Sequence, residues 1–366
     1  MSNQSKKNIV FAVINELNSD QRMQRTCNSL LNNGFHVTLI GKYHADSAPL
    51  INKSFKQIRL FLFFKRSKLY YLEYNIKLFI KLLFIKCDII GAIDLDGMLA
   101  SYLAAKIRGK ILTYDAHEYF TELPEIVERP ITKKMWQWIE KKCLPSAKIA
   151  YTINDCYAKL YEKNYPQKFE IIRNATVLED KIFPTTTGNY ILYQGAVNVG
   201  RGVEEMILAM NELHYKLIIC GKGDQLEYCK ELVRTNKLES KVEFNGFVEP
   251  NELKKITIEA KIGFTLFSNK GFSYYYSLAN RFFDYMHNAV PQIAVDFPEY
   301  RAINERFEIA ILVTDIEVTT LINAVNRLLY EPGLYDRLRS NCMKARLHYN
   351  WQNEELKLIK LYNTIE

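Results

Sequence analysis

The chain has 366 residues, of which 48% are hydrophobic and 25% are charged, and its formal net charge at pH 7 is +8. This length exceeds what one hydrophobic core usually supports, so we expect two domains, and the composition excludes a disordered chain. The seven cysteines form no C-x-x-C pair, which favours reduced thiols in a cytoplasmic protein, and neither a signal peptide nor a membrane-spanning segment is predicted.

Strand-like and helix-like segments alternate along the whole chain. Strands are predicted at 9–13, 36–40, 57–62, 89–92, 110–113 and 149–152, and again at 190–194, 216–220, 241–244, 262–266, 292–295 and 309–313. Helices are predicted at 21–32, 69–86, 98–107, 132–143, 156–165, 203–213, 225–236, 251–260 and 277–287. Two such series predict an α/β protein with two doubly wound parallel sheets, whose ligands bind beyond the carboxyl ends of the strands and between the domains.

The domain boundaries follow from this alternation. We expect an N-terminal domain over residues 1–178 and a C-terminal domain over 190–349, joined by a polar hinge that contains Pro184 and Gly188. A final helix at 351–366 could cap either domain.

The segment 51–86 is strongly basic and aromatic. It contains nine lysines and arginines against one acid, Glu73, together with nine phenylalanines and tyrosines. This combination is typical of contact with an anionic membrane surface. Nucleic acid would also attract it, but no recognition motif accompanies it, so no nucleic-acid partner is predicted. A solvated stripe on a buried helix is the alternative. The candidate docking residues are Lys65, Arg66, Lys68, Lys77 and Lys81.

Two polar clusters follow strands of the first domain. Asp94-Leu95-Asp96 has the D-x-D form of some metal sites, but its place before the helix at 98–107 favours helix capping, so no metal is predicted. Asp115, His117 and Glu118 follow the strand at 110–113, where acid–base groups or polar substrate contacts are expected. A structural histidine is the alternative interpretation of His117.

Glycine turns follow the first two strands of the second series. The first runs from Gly195 to Gly202 and includes Arg201, whose planar fork suits phosphate oxygens. The second contains Gly221 and Gly223. The turn after the first strand of the chain lacks glycine, so a dinucleotide cofactor such as NAD is not predicted.

The segment 276–299 combines groups that would grip a nucleotide diphosphate. Ser277 is predicted to cap a helix whose start is flanked by the cations Lys270 and Arg281. Free N–H groups and nearby cations favour a bound phosphate, and Asp284, two turns further on, could hold a ribose. An ordinary capped helix with a solvated Asp284 is the alternative.

In this order, the segments resemble the retaining glycosyltransferases of family four ("glycosyl transferases group 1"), which have the GT-B fold of two Rossmann-like domains. The resemblance runs along nearly the whole chain and rests on SDQRMQR (19–25), AIDLDG (92–97), YDAHEYF (114–120), ILYQGAVNVGRGVEE (191–205) and SLANRFFDYMHNAVPQIAVDFPE (277–299). It implies that the last helix crosses back to the N-terminal domain.

The resemblance also implies roles for individual residues. Arg201 would lie on the donor diphosphate, Asp284 would hold the donor ribose as the second acid of E-x7-E, and His117 would reach the transferred sugar. The implied donor-binding residues are Gly195, Arg201, Gly221, Ser277, Asn280, Arg281 and Asp284, and the implied sugar-side or acceptor-side contacts are Asp115, Glu118 and Tyr276.

Two departures from the family pattern concern the donor. Tyr276 replaces the first acid of E-x7-E, which contacts the hydroxyls of the donor sugar in the family. Ala196 stands where many relatives carry a second arginine for the diphosphate.

The function implied is metal-independent transfer of a sugar from a UDP- or GDP-linked donor, with no separate cofactor. The acceptor would be a glycan or polyprenyl-linked glycan in bacterial surface polysaccharide synthesis, at the inner face of the membrane. A nucleotide-sugar epimerase of similar fold and a catalytically decayed binding protein are the alternatives.

Overall fold

The computed structural model describes residues 7–65, 67–180, 188–269 and 271–365. Arg66, Lys270 and Pro184 lie outside the described residues. The chain forms two compact units. The first comprises the described residues up to Asn174 together with those from Glu354 onward, and the second extends from Ala175 to Asn353.

The first unit is built on a seven-stranded parallel sheet of order β3-β2-β1-β4-β5-β6-β7. Its strands are β1 (Asn8–Glu16), β2 (His36–Tyr43), β3 (Lys56–Phe61), β4 (Ile89–Ile93), β5 (Ile111–Ala116), β6 (Ile149–Thr152) and β7 (Phe169–Ile171). Its helices are α1 (Gln21–Asn32), α2 (Lys68–Phe84), α3 (Met98–Arg108), α4 (Pro124–Val127), α5 (Pro130–Cys143) and α6 (Asp155–Asn164).

The second unit repeats this arrangement with a six-stranded parallel sheet of order β10-β9-β8-β11-β12-β13. Its strands are β8 (Tyr190–Gln194), β9 (Lys216–Cys220), β10 (Val242–Gly246), β11 (Ile262–Thr265), β12 (Gln292–Val295) and β13 (Ala310–Val313). Its helices are α7 (Val203–Ala209), α8 (Leu226–Thr235), α9 (Pro250–Glu259), α10 (Phe272–Tyr275), α11 (Asn280–His287), α12 (Pro298–Phe307), α13 (Val318–Tyr330) and α14 (Leu334–His348), and α15 (Trp351–Asn363) begins at its end.

The central strands are apolar on both faces because helices cover both sides of each sheet. All five residues of β4 and six consecutive residues of β1 are buried, as expected for parallel strands inside an α/β unit. Local signals fix several helix ends. Asp20 accepts a hydrogen bond from the Met23 N–H and caps α1, and Gly109 ends α3 in the left-handed conformation. The prediction of two doubly wound sheets is confirmed.

The last helix, α15, is divided between the two units. It begins in the second unit, and its residues from Glu354 onward belong to the first. Its Tyr362 ring lies edge-on to Phe11, with centroids 6.0 Å apart, and its hydroxyl lies 3.1 Å from the Thr113 hydroxyl. Glu354 accepts a hydrogen bond from the Arg173 N–H. These contacts fix the end of the chain in the core of the first unit.

Glu140 of α5 is a buried acid whose ionisation costs stability. Its side chain is 3% exposed, and burial raises the pKa of its carboxyl to about 7, although the Tyr165 hydroxyl donates to it over 2.7 Å. The folded state therefore binds this proton more tightly than the unfolded chain. The contribution is fully favourable below about pH 4.5 and is lost as the pH rises towards 7.

The variant Glu140→Gln is therefore expected to raise the free energy of unfolding at pH 8 by up to about 3 kcal/mol. Near pH 3 the same substitution should change little, because Glu140 is then protonated in both states. Urea unfolding at the two pH values measures the difference. An equal effect at both would show that Glu140 is not neutral in the folded protein.

All seven cysteines are free thiols, and only Cys156 is not fully buried. Among the described residues, no helix combines the length and hydropathy needed to cross a bilayer.

Candidate active site

In the second unit, the order of the sheet places β8 beside β11 at the point where strand order reverses. Ligands of open parallel sheets bind in the crevice outside the carboxyl ends of such a strand pair. The segments that follow β8 and β11 meet there, since the Ser268 N–H donates to the Gly200 carbonyl over 2.8 Å. The glycine turn predicted from sequence therefore lies at the crevice of its own sheet.

The side chain of Arg281, on α11, extends into this crevice. Its Nη2 donates to the Leu266 carbonyl over 3.0 Å, and its Nη1 lies 3.4 Å from the Gln194 carbonyl oxygen and from the Tyr193 hydroxyl. The side chain is 5% exposed. Its guanidinium carbon is 4.8 Å from the ring centroids of both Tyr193 and Phe267. The groups that hold the Arg281 guanidinium are neutral, so they do not balance its positive charge.

Arg201, from the glycine turn, lies on the same phenyl ring. Its guanidinium carbon is 4.7 Å from the Phe267 centroid and 4.8 Å from that of Tyr274. The guanidinium carbons of Arg201 and Arg281 are therefore at most 9.5 Å apart, the sum of their distances to the Phe267 centroid. Within the part of the chain that the structure describes, no carboxylate forms an ion pair with either arginine. Two cations around one ring make a site for an anion.

The same place contains buried donors without acceptors. Arg201 Nε, Arg281 Nε and Ser268 Oγ are each buried and have no hydrogen-bond partner among the described residues. Buried donors are usually satisfied, so three together are unusual. A diphosphate, with its many acceptor oxygens, fits this set.

The glycines let the two turns approach closely. Gly195 has φ +137°, and a Cβ atom at this position would lie 2.8 Å from Arg281 Nη1. A Cβ atom at Gly221 would overlap the Gly195 carbonyl oxygen. Gly195 therefore lets the backbone pass over the arginine, and Gly221 lets the two turns touch.

Asp284 lies on α11, one turn after Arg281, and is held by neutral donors. The Thr176 hydroxyl donates to its Oδ1 over 2.7 Å, and Gln194 Nε2 donates to its Oδ2 over 2.9 Å. Gln194 is itself oriented by the Thr257 hydroxyl, which donates to its Oε1 over 2.8 Å. These contacts orient the Asp284 carboxylate within the second unit.

The prediction that Ser277 caps the helix is wrong. α11 begins at Asn280, its N-cap is Ala279, and the Ala279 N–H donates to the Tyr300 hydroxyl over 3.1 Å. The Ser277 hydroxyl instead donates to the Tyr274 carbonyl over 2.8 Å. The physical reason is the separate short helix α10, whose last carbonyls need a partner where the chain turns.

Tyr276, at the position of the missing acid, is part of an aromatic pair. Its ring is stacked on Phe272, with centroids 5.9 Å apart and planes 17° apart. Its neighbour Tyr275 packs edge-on to it. An aromatic surface therefore replaces the carboxylate that the family pattern would place there.

In the first unit, His117 lies between two carboxylates. Its Nε2 is 2.9 Å from Asp115 Oδ2, and its Nδ1 is 3.9 Å from Asp94 Oδ2. Burial lowers the pKa of the His117 imidazole, but Asp115 and Asp94 outweigh it and hold that pKa above its usual value. The ring is thus favoured as an imidazolium whose Nδ1–H is too far from Asp94 for a hydrogen bond.

The capping interpretation of Asp94 and Asp96 is wrong. Asp94 has φ +53°, and its Oδ1 accepts from the N–H groups of His117 over 2.8 Å and of Glu118 over 3.3 Å. The N-cap of α3 is Gly97, without a side-chain hydrogen bond. Asp94 therefore braces the turn that carries His117, because β4 and β5 end side by side.

The outer members of this cluster differ in environment. The Glu118 side chain is exposed, whereas Asp96 is buried, and burial, followed by the nearby Asp94 charge, raises the pKa of its carboxyl well above the usual value. No group of three potential metal ligands lies together in the described residues.

Sequence reasoning missed Arg22, the buried partner of Asp115. Arg22 Nη2 donates to Asp115 Oδ1 over 2.7 Å, and Arg22 Nε donates to Asp115 Oδ2 over 3.2 Å. The motif SDQRMQR contained Arg22, but nothing local indicates a partner 93 positions further along the chain.

The predicted docking segment exposes Lys65, Lys68 and Lys81 and also an apolar surface. Lys65 pairs with Asp46 and Lys77 with Glu73, each over 2.6 Å, and Tyr70 and Tyr74 are buried. The side of α2 that faces solvent is largely apolar. Its exposed residues Leu69, Leu72, Ile76, Ile80 and Phe84 recur at three- or four-residue spacing, opposite the buried stripe.

The apolar surface continues onto neighbouring helices. α2 packs on α3, α3 packs on α5, and Tyr71 and Trp136 meet with ring centroids 5.4 Å apart. The exposed apolar residues of these two helices are Leu103, Ile107, Ile131, Met135 and Trp138. Lys68, Lys81, Lys134, Lys141 and Lys142 are exposed on the same three-helix layer. We call the ten exposed apolar residues of α2, α3 and α5 the apolar face.

Both the sequence and the fold of this chain resemble those of known proteins. Residues 176–345 match the family Glycosyl transferases group 1. The O-antigen chain mannosyltransferase RfbU of Salmonella typhimurium is 28% identical over 117 residues, which are 31% of this chain and 33% of that protein. The match thus spans about a third of the length of this relative.

Solved structures match over the whole length. Sucrose-phosphate synthase from Thermosynechococcus elongatus has a TM-score of 0.79 at 17% identity, covering 98% of this chain and 99% of that one. HepE from Anabaena, in complex with UDP-glucose, has a TM-score of 0.76 at 12% identity, covering 98% of this chain and 100% of that one. At these identities the likeness establishes the fold.

Proposed function

We propose that this chain, whose residues 176–345 match the group 1 glycosyltransferase family and whose fold is GT-B, moves a sugar from a nucleotide-diphosphate donor to a glycan or lipid-linked glycan. The proposed reaction retains the configuration of the sugar and uses no metal. The O-antigen mannosyltransferase relative supports a role in bacterial surface polysaccharide synthesis.

The observation that carries this proposal is the pair of uncompensated arginines around Phe267. When the sugar leaves the donor, negative charge builds on the diphosphate. Fixed cations already aimed at that position stabilise the charge without reorganising. The first N–H groups of α11, which carries Arg281 in its first turn, would add a smaller favourable field. Asp284 then takes the donor ribose.

The cluster around His117 would contact the transferred sugar. Arg22, Asp115, His117 and Asp94 carry two positive and two negative charges when His117 is protonated, so the cluster is neutral. His117 therefore acts as a hydrogen-bond donor to a sugar hydroxyl through Nδ1, rather than as a charge opposite the oxocarbenium-like sugar. The acceptor would attack from the side of the departing diphosphate, which retains the configuration.

A screen of UDP- and GDP-linked sugars tests the proposal. We expect one donor to release its nucleoside diphosphate and to form a new glycosidic bond when a polyprenyl-linked glycan is supplied. Release of an epimerised sugar without any acceptor would identify an epimerase instead.

We also propose that the apolar face rests on an anionic membrane, where a lipid-linked acceptor is found. Exposed apolar side chains flanked by lysines fit the boundary between headgroups and acyl chains. Ten large apolar side chains on one layer of helices exceed the scattered exposure that is normal for a surface. Because Lys65 and Lys77 are paired with acids, apolar burial would contribute more than those two charges.

The double variant Ile76→Ser, Ile80→Ser is expected to weaken binding to phosphatidylglycerol vesicles at least about tenfold, because each isoleucine loses its apolar burial. Cosedimentation with vesicles measures this. Leu347→Ser, at another exposed leucine in the second unit, should bind like the wild type. Unchanged binding of the double variant would contradict the assignment of this surface.

A further inference from the structure

The Arg22 side chain makes more contacts than its ion pair with Asp115 alone would need. It lies in the first turn of α1 and is 3% exposed. Two of its nitrogens hold the two oxygens of Asp115, and the third, Nη1, donates to the Ile172 carbonyl over 2.9 Å. All three guanidinium nitrogens are therefore engaged, and the group joins α1, β5 and the end of β7.

Asp115 passes this constraint to the imidazole. It is 1% exposed, and its Oδ2 is shared between Arg22 Nε at 3.2 Å and His117 Nε2 at 2.9 Å. Two further acidic side chains lie near the ring: Asp94, beside Nδ1, and Asp96, further out on the same turn. The orientation of the ring thus depends on a carboxylate whose other side-chain partner, among the described residues, is Arg22.

We propose that Arg22 is the positioning residue of His117: its forked ion pair fixes Asp115, which in turn holds Nε2 and turns Nδ1 towards the ligand. The inference rests on the proposed function, in which His117 meets the transferred sugar. A lysine would not achieve this, because the N–H groups of an ammonium radiate from one nitrogen and do not form the parallel pair that the guanidinium presents to both Asp115 oxygens.

Removing Arg22 has a defined electrostatic sign. Burial raises the pKa of the Asp115 carboxyl, but the Arg22 and His117 charges outweigh it and hold that pKa below its usual value. Arg22 also lowers the pKa of the His117 imidazole, against the larger raising effect of the carboxylates. Without Arg22, both groups should therefore bind their protons more tightly.

The test compares R22Q, R22K and the control R108Q, using NMR titration of the His117 ring, assigned by its loss in H117N. Arg108 also donates to carbonyls inside the first unit, those of Leu82 and Ile85, but does not touch the histidine cluster. R22Q should raise the midpoint of His117 by about half a pH unit or more and lower kcat about tenfold with the donor KM unchanged. R108Q should change neither.

A His117 midpoint in R22Q equal to that of the wild type would overturn the inference. If R22Q does not fold, R22K decides, since it keeps the charge. The inference predicts a wild-type midpoint with a kcat reduced about threefold or more, and a wild-type kcat would overturn it. The titration needs no substrate, so a failure of the proposed function, seen as absence of transfer by the wild type, remains distinguishable.

Discussion

Replacing Arg201 with alanine is expected to lower kcat/KM for sugar transfer about a hundredfold. The guanidinium group lies on Phe267 and Tyr274 and has no carboxylate partner in the described residues. Its removal therefore takes away charge that would stabilise the departing diphosphate and leaves no newly unpaired acid behind. Steady-state kinetics with the donor identified by the screen measures the loss.

The matched control is Arg306→Ala. Arg306 also lies over a phenyl ring in the second unit, with its guanidinium carbon 5.1 Å from the Phe307 centroid, but it lies on α12, away from the glycine turns. Transfer by this variant should equal that of the wild type. Full activity of the Arg201 variant, or equal losses in both, would refute the phosphate role of Arg201.

Asp284→Asn is expected to weaken donor binding about ten- to a hundredfold, with a smaller effect on kcat. The carboxylate is oriented by Thr176 and Gln194, and a hydrogen bond from a ribose hydroxyl to a charged acceptor contributes roughly 1.5–3 kcal/mol. An asparagine keeps the shape but loses the charge and one acceptor. Calorimetric titration with the nucleoside diphosphate measures the change.

A nucleotide that lacks the ribose hydroxyls provides the control. The 2′,3′-dideoxy analogue should bind weakly to the wild-type protein, and Asp284→Asn should not weaken it further, because the contact is already missing. Equal losses for both nucleotides would show that Asp284 supports the fold of the site rather than the ribose.

The backbone of this fold could be predicted well because its signals are local. The predicted bounds of α1, β8 and β12 agree with the structure to the residue. Each segment lies between clear turn residues, and its apolar residues follow a single periodicity, either that of a helix or that of a strand. The prediction of the GT-B fold is confirmed, and residues 176–345 match the predicted group 1 family. Short helices were harder to predict: α10 has four residues and hides within the aromatic run before Ser277.

The site itself was only partly accessible from sequence because its contacts are distant in the chain. Arg281 could be recognised as a cation near a turn, but not its enclosure by Tyr193 and Phe267. Asp94 sits one residue after β4, and capping was the local explanation available; its true partners follow β5. The charge pattern of 51–86 likewise could not show which face of α2 would be exposed.

The most direct test of the central claim is calorimetric binding of UDP and GDP, each compared with its nucleoside, to the wild-type protein. If the Arg201–Arg281 pocket grips a diphosphate, one of the two nucleotides should bind at least about a hundredfold more tightly than its nucleoside, because most of the affinity comes from the charged oxygens. Absence of binding at millimolar nucleotide, or equal affinity for nucleotide and nucleoside, would contradict the account.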